Sequence, residues 1–208
     1  MKKPLLFAAL VLLVVVVLAE SLGRQATAST PVRLDCGVGC GKTYHLSVTI
    51  LAPEHSILGK PTLSAAFIDR VLSAAHSPAA GTGQDFYQLS LHYGIDDVWP
   101  LAFFHHESDY GRTGEARVTS SIGNSRCIAT RPCIDQNRGG YAQMWSWVDG
   151  IVQWYQLISQ LYIKQWGRST VERIIPKYAP NSDGNDEQAY INSLVSDVAA
   201  YRAGKVLP

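Results

Sequence analysis

Val98-Trp99-Pro100-Leu101-Ala102-Phe103-Phe104-His105-His106-Glu107-Ser108-Asp109-Tyr110-Gly111 is the stretch on which the reading of this chain turns. It is apolar around nearly its whole circumference, which predicts a helix inside a core. Its last turn carries one glutamate, and the residues that follow are rich in Gly, Ser and Arg. An unpaired charge out of water costs several kcal/mol, so a carboxylate here must be partnered or shifted in pKa. Glu107 is therefore the first candidate for chemistry. Phe103 and Phe104 lie four and three residues before it and flank it on the helix. Apolar neighbours and the negative pole of the helix both disfavour its ionised form. A carboxylic acid that keeps its proton near neutrality is what glycosidic cleavage needs, because the leaving oxygen must be protonated as its bond breaks. The plainer reading is a glutamate that pins the following loop through Arg112 or Arg117. His105 and His106 point about 100° apart on a helix and cannot chelate one metal together. Their reading is as partners for the last carbonyls of the helix.

Upstream, Phe67, Ile68, Val71, Leu72 and Ala75 share one face at helical spacing, and the Pro- and Gly-containing stretch 77–83 ends that helix. A second helix carries Phe86, Leu89 and Tyr93 and stops at Gly94. Asp97 reads as the N-cap of the third, with Pro100 tolerated in its first turn. Downstream, residues 112–141 hold four Gly, five Arg and two Cys without helical period. A stretch of that length in a compact domain is usually a functional loop. Ser146 caps the longest helix, whose stripe is Ile151, Tyr155, Ile158, Leu161 and Tyr162, bracketed by Trp147, Trp154 and Trp166. Asp149, third after Ser146, suggests a capping box. A short helix over 170–178 is interrupted by Pro176, and a last one spans 187–201.

The 208 residues are 47% hydrophobic and 17% charged, enough for one domain with a sizeable core. A formal net charge of +1 gives no footprint for nucleic acid. Met1-Lys2-Lys3 followed by fifteen apolar residues, 5–19, reads as an export signal. The run is short of the roughly 20 residues of a spanning helix. Ala26-Thr27-Ala28 offers a small-x-small cleavage site; uncut, the same run is a membrane tether. Residues 29–62 form a linker, with a short strand at 45–51. The four cysteines suit an oxidising compartment and permit three connectivities. Local pairing, Cys36 with Cys40 and Cys127 with Cys133, is the expected one. Intervals of three and five residues are not those of a zinc ribbon, so no metal is expected.

Tyr110, Tyr141, Trp145, Trp147, Tyr178 and Tyr190 supply aromatic faces around the long loop, on which sugar rings stack. Trp154 and Tyr155 are expected in the core, and Tyr141 and Trp145 at a cleft. Asn124, after Gly123, suits an acetamido group, although a Gly-Asn pair is first of all a turn. Asp135 and Glu115 are the candidates for a second carboxylate.

The ordered set Phe104-x-x-Glu107-Ser108-x-x-Gly111-x-x-Gly114, Gly123-Asn124-x-x-Cys127, Trp147-x-x-Gly150-Ile151-x-x-Trp154, Lys177-Tyr178-Ala179-Pro180 and Ala189-Tyr190-Ile191 resembles the glucosaminidase domain of bacterial wall hydrolases. This is glycoside hydrolase family 73, of the mannosyl-glycoprotein endo-β-N-acetylglucosaminidase type. The resemblance spans residues 63–202. It implies a lysozyme-like helical fold with a groove for glycan strands, Glu107 as the general acid, and Ser108 beside it among the substrate contacts. In the family's usual aromatic-Arg-x-Tyr-x-Ser motif, Ala142 and Met144 replace the Arg and the Tyr. A thioether cannot act as a phenol. Tyr141 then fills in, or activity is weak, or the chain binds glycan without cutting it.

The expected molecule is mainly α, a lysozyme-like domain over 63–204 with a disulfide-stapled loop beside its groove. It follows a signal or anchor over 1–28 and the linker 29–62. It is expected to be an exported monomer that acts on peptidoglycan without a cofactor, tethered through 4–19 if uncleaved. Lytic transglycosylase chemistry and a noncatalytic wall-binding module are the rival readings.

Overall fold

The computed structural model describes residues 27–32, 44–49 and 55–208. The chain divides into two units, Met1–Pro53 and Glu54–Pro208. In the first, strands β1 (Thr27–Val32) and β2 (Tyr44–Thr49) pair antiparallel, Thr27 opposite Thr49 and Val32 opposite Tyr44. The expected apolar run 5–19 and the Cys36/Cys40 pair lie outside the described residues. Among the described residues, no helix is long and apolar enough to cross a membrane.

The second unit is helical. Helix α1 (Ala65–Ala74) starts at Ser64, whose Oγ accepts from the Phe67 amide, and it buries Phe67, Ile68, Val71 and Leu72. Helix α2 (Gly83–Tyr93) is closed by Gly94, at φ 66°, a conformation that needs no Cβ. Helix α3 (Val98–Ser108) runs through the core: Val98, Leu101, Ala102, Phe103 and Phe104 are wholly buried. Helices α5 (Trp147–Gln156) and α7 (Glu187–Arg202) pack on α3, α6 (Val171–Tyr178) packs on α7, and α2 lies on both α1 and α5. Trp154 and Tyr155 are in the core as expected.

Several local expectations change. The loop 112–141 contains a four-residue helix, α4 (Ala116–Thr119), and a hairpin of β3 (Cys133–Ile134) with β4 (Tyr141–Ala142), both too short to show a period. The Cys127–Cys133 disulfide staples this loop, with Cα atoms 5.2 Å apart. After α5 the helix continues as a π-helical segment, Leu157–Gln165, which shifts the helical spacing there. Pro176 does not interrupt α6. The helix continues to Tyr178, and the Ala179 amide still reaches the Ile175 carbonyl at 2.9 Å. Ser146 Oγ accepts from the Asp149 amide, the first half of a capping box. The second half is absent, because the Asp149 carboxylate takes the Trp145 amide and Arg131 instead.

Asp97 is not a side-chain cap of α3. Its Oδ1 accepts from the amides of Thr62 and Leu63, at 3.1 and 3.0 Å, and ties the segment before α1 to the start of α3. Its Oδ2 is buried with no donor. Burial, with the Asp96 carboxylate alongside, pushes the Asp97 pKa up to about 7. The folded chain therefore binds a proton that the unfolded chain releases near pH 4, and stability declines as pH rises from there to about 7. Asp97→Asn removes that decline. Melting curves at pH 5 and pH 8 check this: the advantage of the variant over the parent should be larger at pH 8 than at pH 5 by about 1–3 kcal/mol.

Candidate active site

Helix α3 ends in three successive left-handed residues, Asp109, Tyr110 and Gly111, at φ 49°, 55° and 83°. The Tyr110 amide bonds the Phe104 carbonyl, and the Gly111 amide bonds Ser108 Oγ at 2.9 Å. A Cβ on Gly111 would stand 2.5 Å from the Trp147 ring, so only glycine fits this turn. The tight stop places Glu107 at the edge of the core, half-buried, on the wall of a groove of about 900 Å³.

Both carboxylate oxygens have donors. The Tyr190 hydroxyl donates to Oε1, and Asn124 Nδ2 donates to Oε2 at 2.9 Å. Asn124 Nδ2 also reaches the Glu107 carbonyl at 3.2 Å, one of the carbonyls that α3 leaves open at its end. Asn124 adopts φ 46°, so the expected Gly-Asn turn is real, and the turn itself aims the amide at the acid. The Tyr178 hydroxyl holds that turn by donating to the Gly123 carbonyl at 2.8 Å. Burial raises the Glu107 pKa, while the donors Tyr190 and Asn124 pull against it. Burial first, and then the Glu107 charge, push the Tyr178 and Tyr190 hydroxyls well above the usual phenol range, so both remain donors.

Asn124, Tyr141, Tyr178 and Tyr190 line the groove with Glu107. The other sequence candidates lie elsewhere. Ser108 and Tyr110 are buried, Ser108 as the helix stop and Tyr110 with its hydroxyl against that of Tyr201. Trp145 is exposed but outside the groove lining. Asp135 and Glu115 are both bound to Arg138, and neither reaches the groove lining. Arg112 pairs with Asp109, so the expected pinning of Glu107 by Arg112 does not occur. His105 and His106 do not cap carbonyls; their Nδ1 atoms meet Asp197 Oδ2 at 2.7 Å and Ser193 Oγ at 3.0 Å, joining α3 to α7. The His106 ring also lies against Tyr190, centroids 3.7 Å apart, and burial lowers its pKa. Among the described residues no cluster of His, Cys, Asp or Glu is arranged to hold a metal.

The sequence reading missed one wall of the groove. Gln153, Gln156, Leu157, Gln160 and Leu161 line it from α5 and the π-helical segment, and Asp183 is a second carboxylate of the lining. The π-helical spacing concealed that wall, since Leu161 falls on the apolar stripe only if the helix is α throughout. Met144 is buried, its amide bonded to the Thr119 carbonyl at 2.8 Å, and offers the groove nothing.

A mainly helical fold with a carboxyl set between a phenol and an amide at a groove wall is the class that these observations define. No family model and no curated protein matches the chain. Among solved structures it is similar to a catalytic mutant of S. aureus autolysin E in complex with the disaccharide NAG-NAM. The TM-score is 0.52 at 10% identity, over 74% of this chain and 76% of that one. The likeness is one of fold.

Proposed function

We propose that the chain is a peptidoglycan hydrolase that cleaves the β-1,4 bond after N-acetylglucosamine, with Glu107 as general acid. The observation that carries this reading is the Glu107 carboxyl itself, at a groove wall, raised in pKa by burial and held between Tyr190 and Asn124. The autolysin whose fold it shares binds a NAG-NAM disaccharide, which supports a glycan as occupant. In the proposed reaction the Glu107 proton moves to the leaving 4-oxygen as the C1–O bond breaks. Water, or first the substrate's acetamido oxygen, then attacks C1, and the proton of the water returns to Glu107. Tyr190 and Asn124 stabilise the carboxylate left after the first transfer. The Cys127–Cys133 disulfide and the apolar run 5–19 support a reaction outside the cytoplasm, with or without a membrane tether.

Lytic transglycosylase chemistry is the second reading, favoured in that the two carboxylates expected from the sequence, Asp135 and Glu115, sit on Arg138 away from the groove lining, and opposed by Asp183, which is in it. There the C6 hydroxyl of a muramic residue attacks its own C1 and no water is consumed. The test is to incubate residues 29–208 with peptidoglycan, reduce the released ends with borohydride and identify them by mass spectrometry. Reduced N-acetylglucosamine ends support the first reading, and anhydro-muramic ends the second. Release of neither sinks both.

Tyr190→Phe isolates the phenol. It removes a donor that favours the ionised acid, so the Glu107 pKa rises further and the alkaline limb of the pH–rate profile moves up. It also leaves the carboxylate formed in the reaction with one donor fewer, so kcat falls about tenfold at the optimum. A kcat profile between pH 4 and 9 reads both effects.

A further inference from the structure

Trp145 is 68% exposed, an unusual place for an indole, and its setting is built rather than incidental. The Asp149 carboxylate accepts from the Trp145 amide at 2.9 Å and from Arg131 Nε at 2.7 Å. The Arg131 guanidinium lies 5.7 Å from the indole centroid, while the Arg131 and Asp149 side chains are only 14% and 15% exposed. One carboxylate thus fixes the backbone of the tryptophan and the cation against its ring. The ring loses little freedom when something binds to it.

A second ring-and-cation contact, without the carboxylate, lies four residues earlier. The Arg126 guanidinium lies 4.6 Å from the centroid of Tyr141, which lines the groove, and Arg126 Nη1 is anchored on the Arg138 carbonyl at 3.2 Å. Between the two rings burial alternates: Ala142 and Met144 are buried, while Gln143 and Trp145 are exposed. The Gln143 amide is turned toward the Val118 carbonyl, at 3.4 Å. Four residues of extended chain reach at most about 14 Å. Two aromatic–arginine pairs therefore lie within that reach of each other, one in the groove lining and one outside it.

We propose that Tyr141, Gln143 and Trp145 form an outer binding strip for the glycan chain, which carries the polymer out of the groove and holds it by stacking a sugar ring on Trp145. This deepens the reading of the groove as a glycan site and rests on it. A pyranose ring presents a flat C–H face and a polar rim. The indole supplies the matching flat surface, and the Arg131–Asp149 pair holds it in place. A repeated ring-and-cation unit along an open strip fits a ligand with a repeated unit. A single small molecule would need convergent walls.

The test uses the chain with Glu107→Gln, so that bound polymer is not cut, with and without Trp145→Ala. Retention on insoluble peptidoglycan is measured by co-sedimentation, and affinity for a soluble glycan tetrasaccharide by calorimetry. The strip predicts that Trp145→Ala weakens polymer retention about tenfold and lowers tetrasaccharide affinity by less than about twofold. Trp145→Tyr, which keeps an aromatic face, should restore most of the retention. Unchanged retention, equal weakening toward both ligands, or no retention in either protein overturns the strip. Because the readout is binding, the two readings fail separately. A chain that holds polymer through Trp145 but never cuts keeps the strip and loses the hydrolase, and a chain that cuts while Trp145→Ala changes nothing does the reverse.

Discussion

Glu107→Gln should lower the rate of peptidoglycan cleavage by about 10²- to 10⁴-fold while the chain stays folded and still binds polymer. The amide keeps the size and most of the hydrogen bonding of the carboxyl but has no proton to give. Tyr190 can still donate to the amide oxygen, although Asn124 Nδ2 then faces the new NH2 group, so a small loss of stability accompanies the substitution. Turbidity loss of a wall suspension, beside a melting curve, measures both. The parent supplies the complementary pH result. Burial raises the Glu107 pKa, so the protonated, competent form persists to a higher pH than for an ordinary carboxyl, and the rate falls as pH rises through that raised value. A parent chain whose activity is lost near pH 4.5, the ordinary value for a glutamate, would remove burial as the device that arms the acid.

Gly150→Ala should destabilise the helical unit by about 3 kcal/mol, although alanine is the better helix former by about 1 kcal/mol. Gly150 lies inside α5 and needs no unusual backbone angle. Its requirement is space: a Cβ there would stand 2.0 Å from the Ser120 carbonyl oxygen and 3.3 Å from the Ser121 Cα. Both are backbone atoms and cannot turn away. Relief requires α5 to move off the segment 120–124, which carries Asn124 to the acid. A fall in melting temperature of about 6–12 °C is expected, with activity reduced in the protein that remains folded. A rise in melting temperature, as helix propensity alone predicts, would show that α5 and the segment 120–124 can separate at little cost.

Much of this arrangement is legible in the order of the residues. The apolar positions 67, 68, 71 and 72 mark α1, Gly94 marks the end of α2, and Ser146 marks the start of α5, because each depends on residues within one helical turn. The Cys127–Cys133 pairing follows from closeness in sequence. Where local rules compete with distant contacts they mislead. Asp97 has the residue type of a cap but is taken by the Thr62 and Leu63 amides, and Asp149 has the position of a capping-box acid but is taken by Arg131. Tyr110 and Trp145 are both aromatic and near the loop, yet one is in the core and the other in solvent.

The sequence alone thus determined a helical domain, a carboxyl at the end of its central helix and a stapled loop after it, since periodicity, stops and short-range pairing are nearest-neighbour properties. The tertiary structure alone decided what surrounds that carboxyl. Its two donors come from 17 and 83 residues away, and another wall of the groove comes from a helix whose spacing departs from the α period. Residues that distant meet only when the core closes, and no local pattern records which of several tyrosines or amides the packing will bring to the acid.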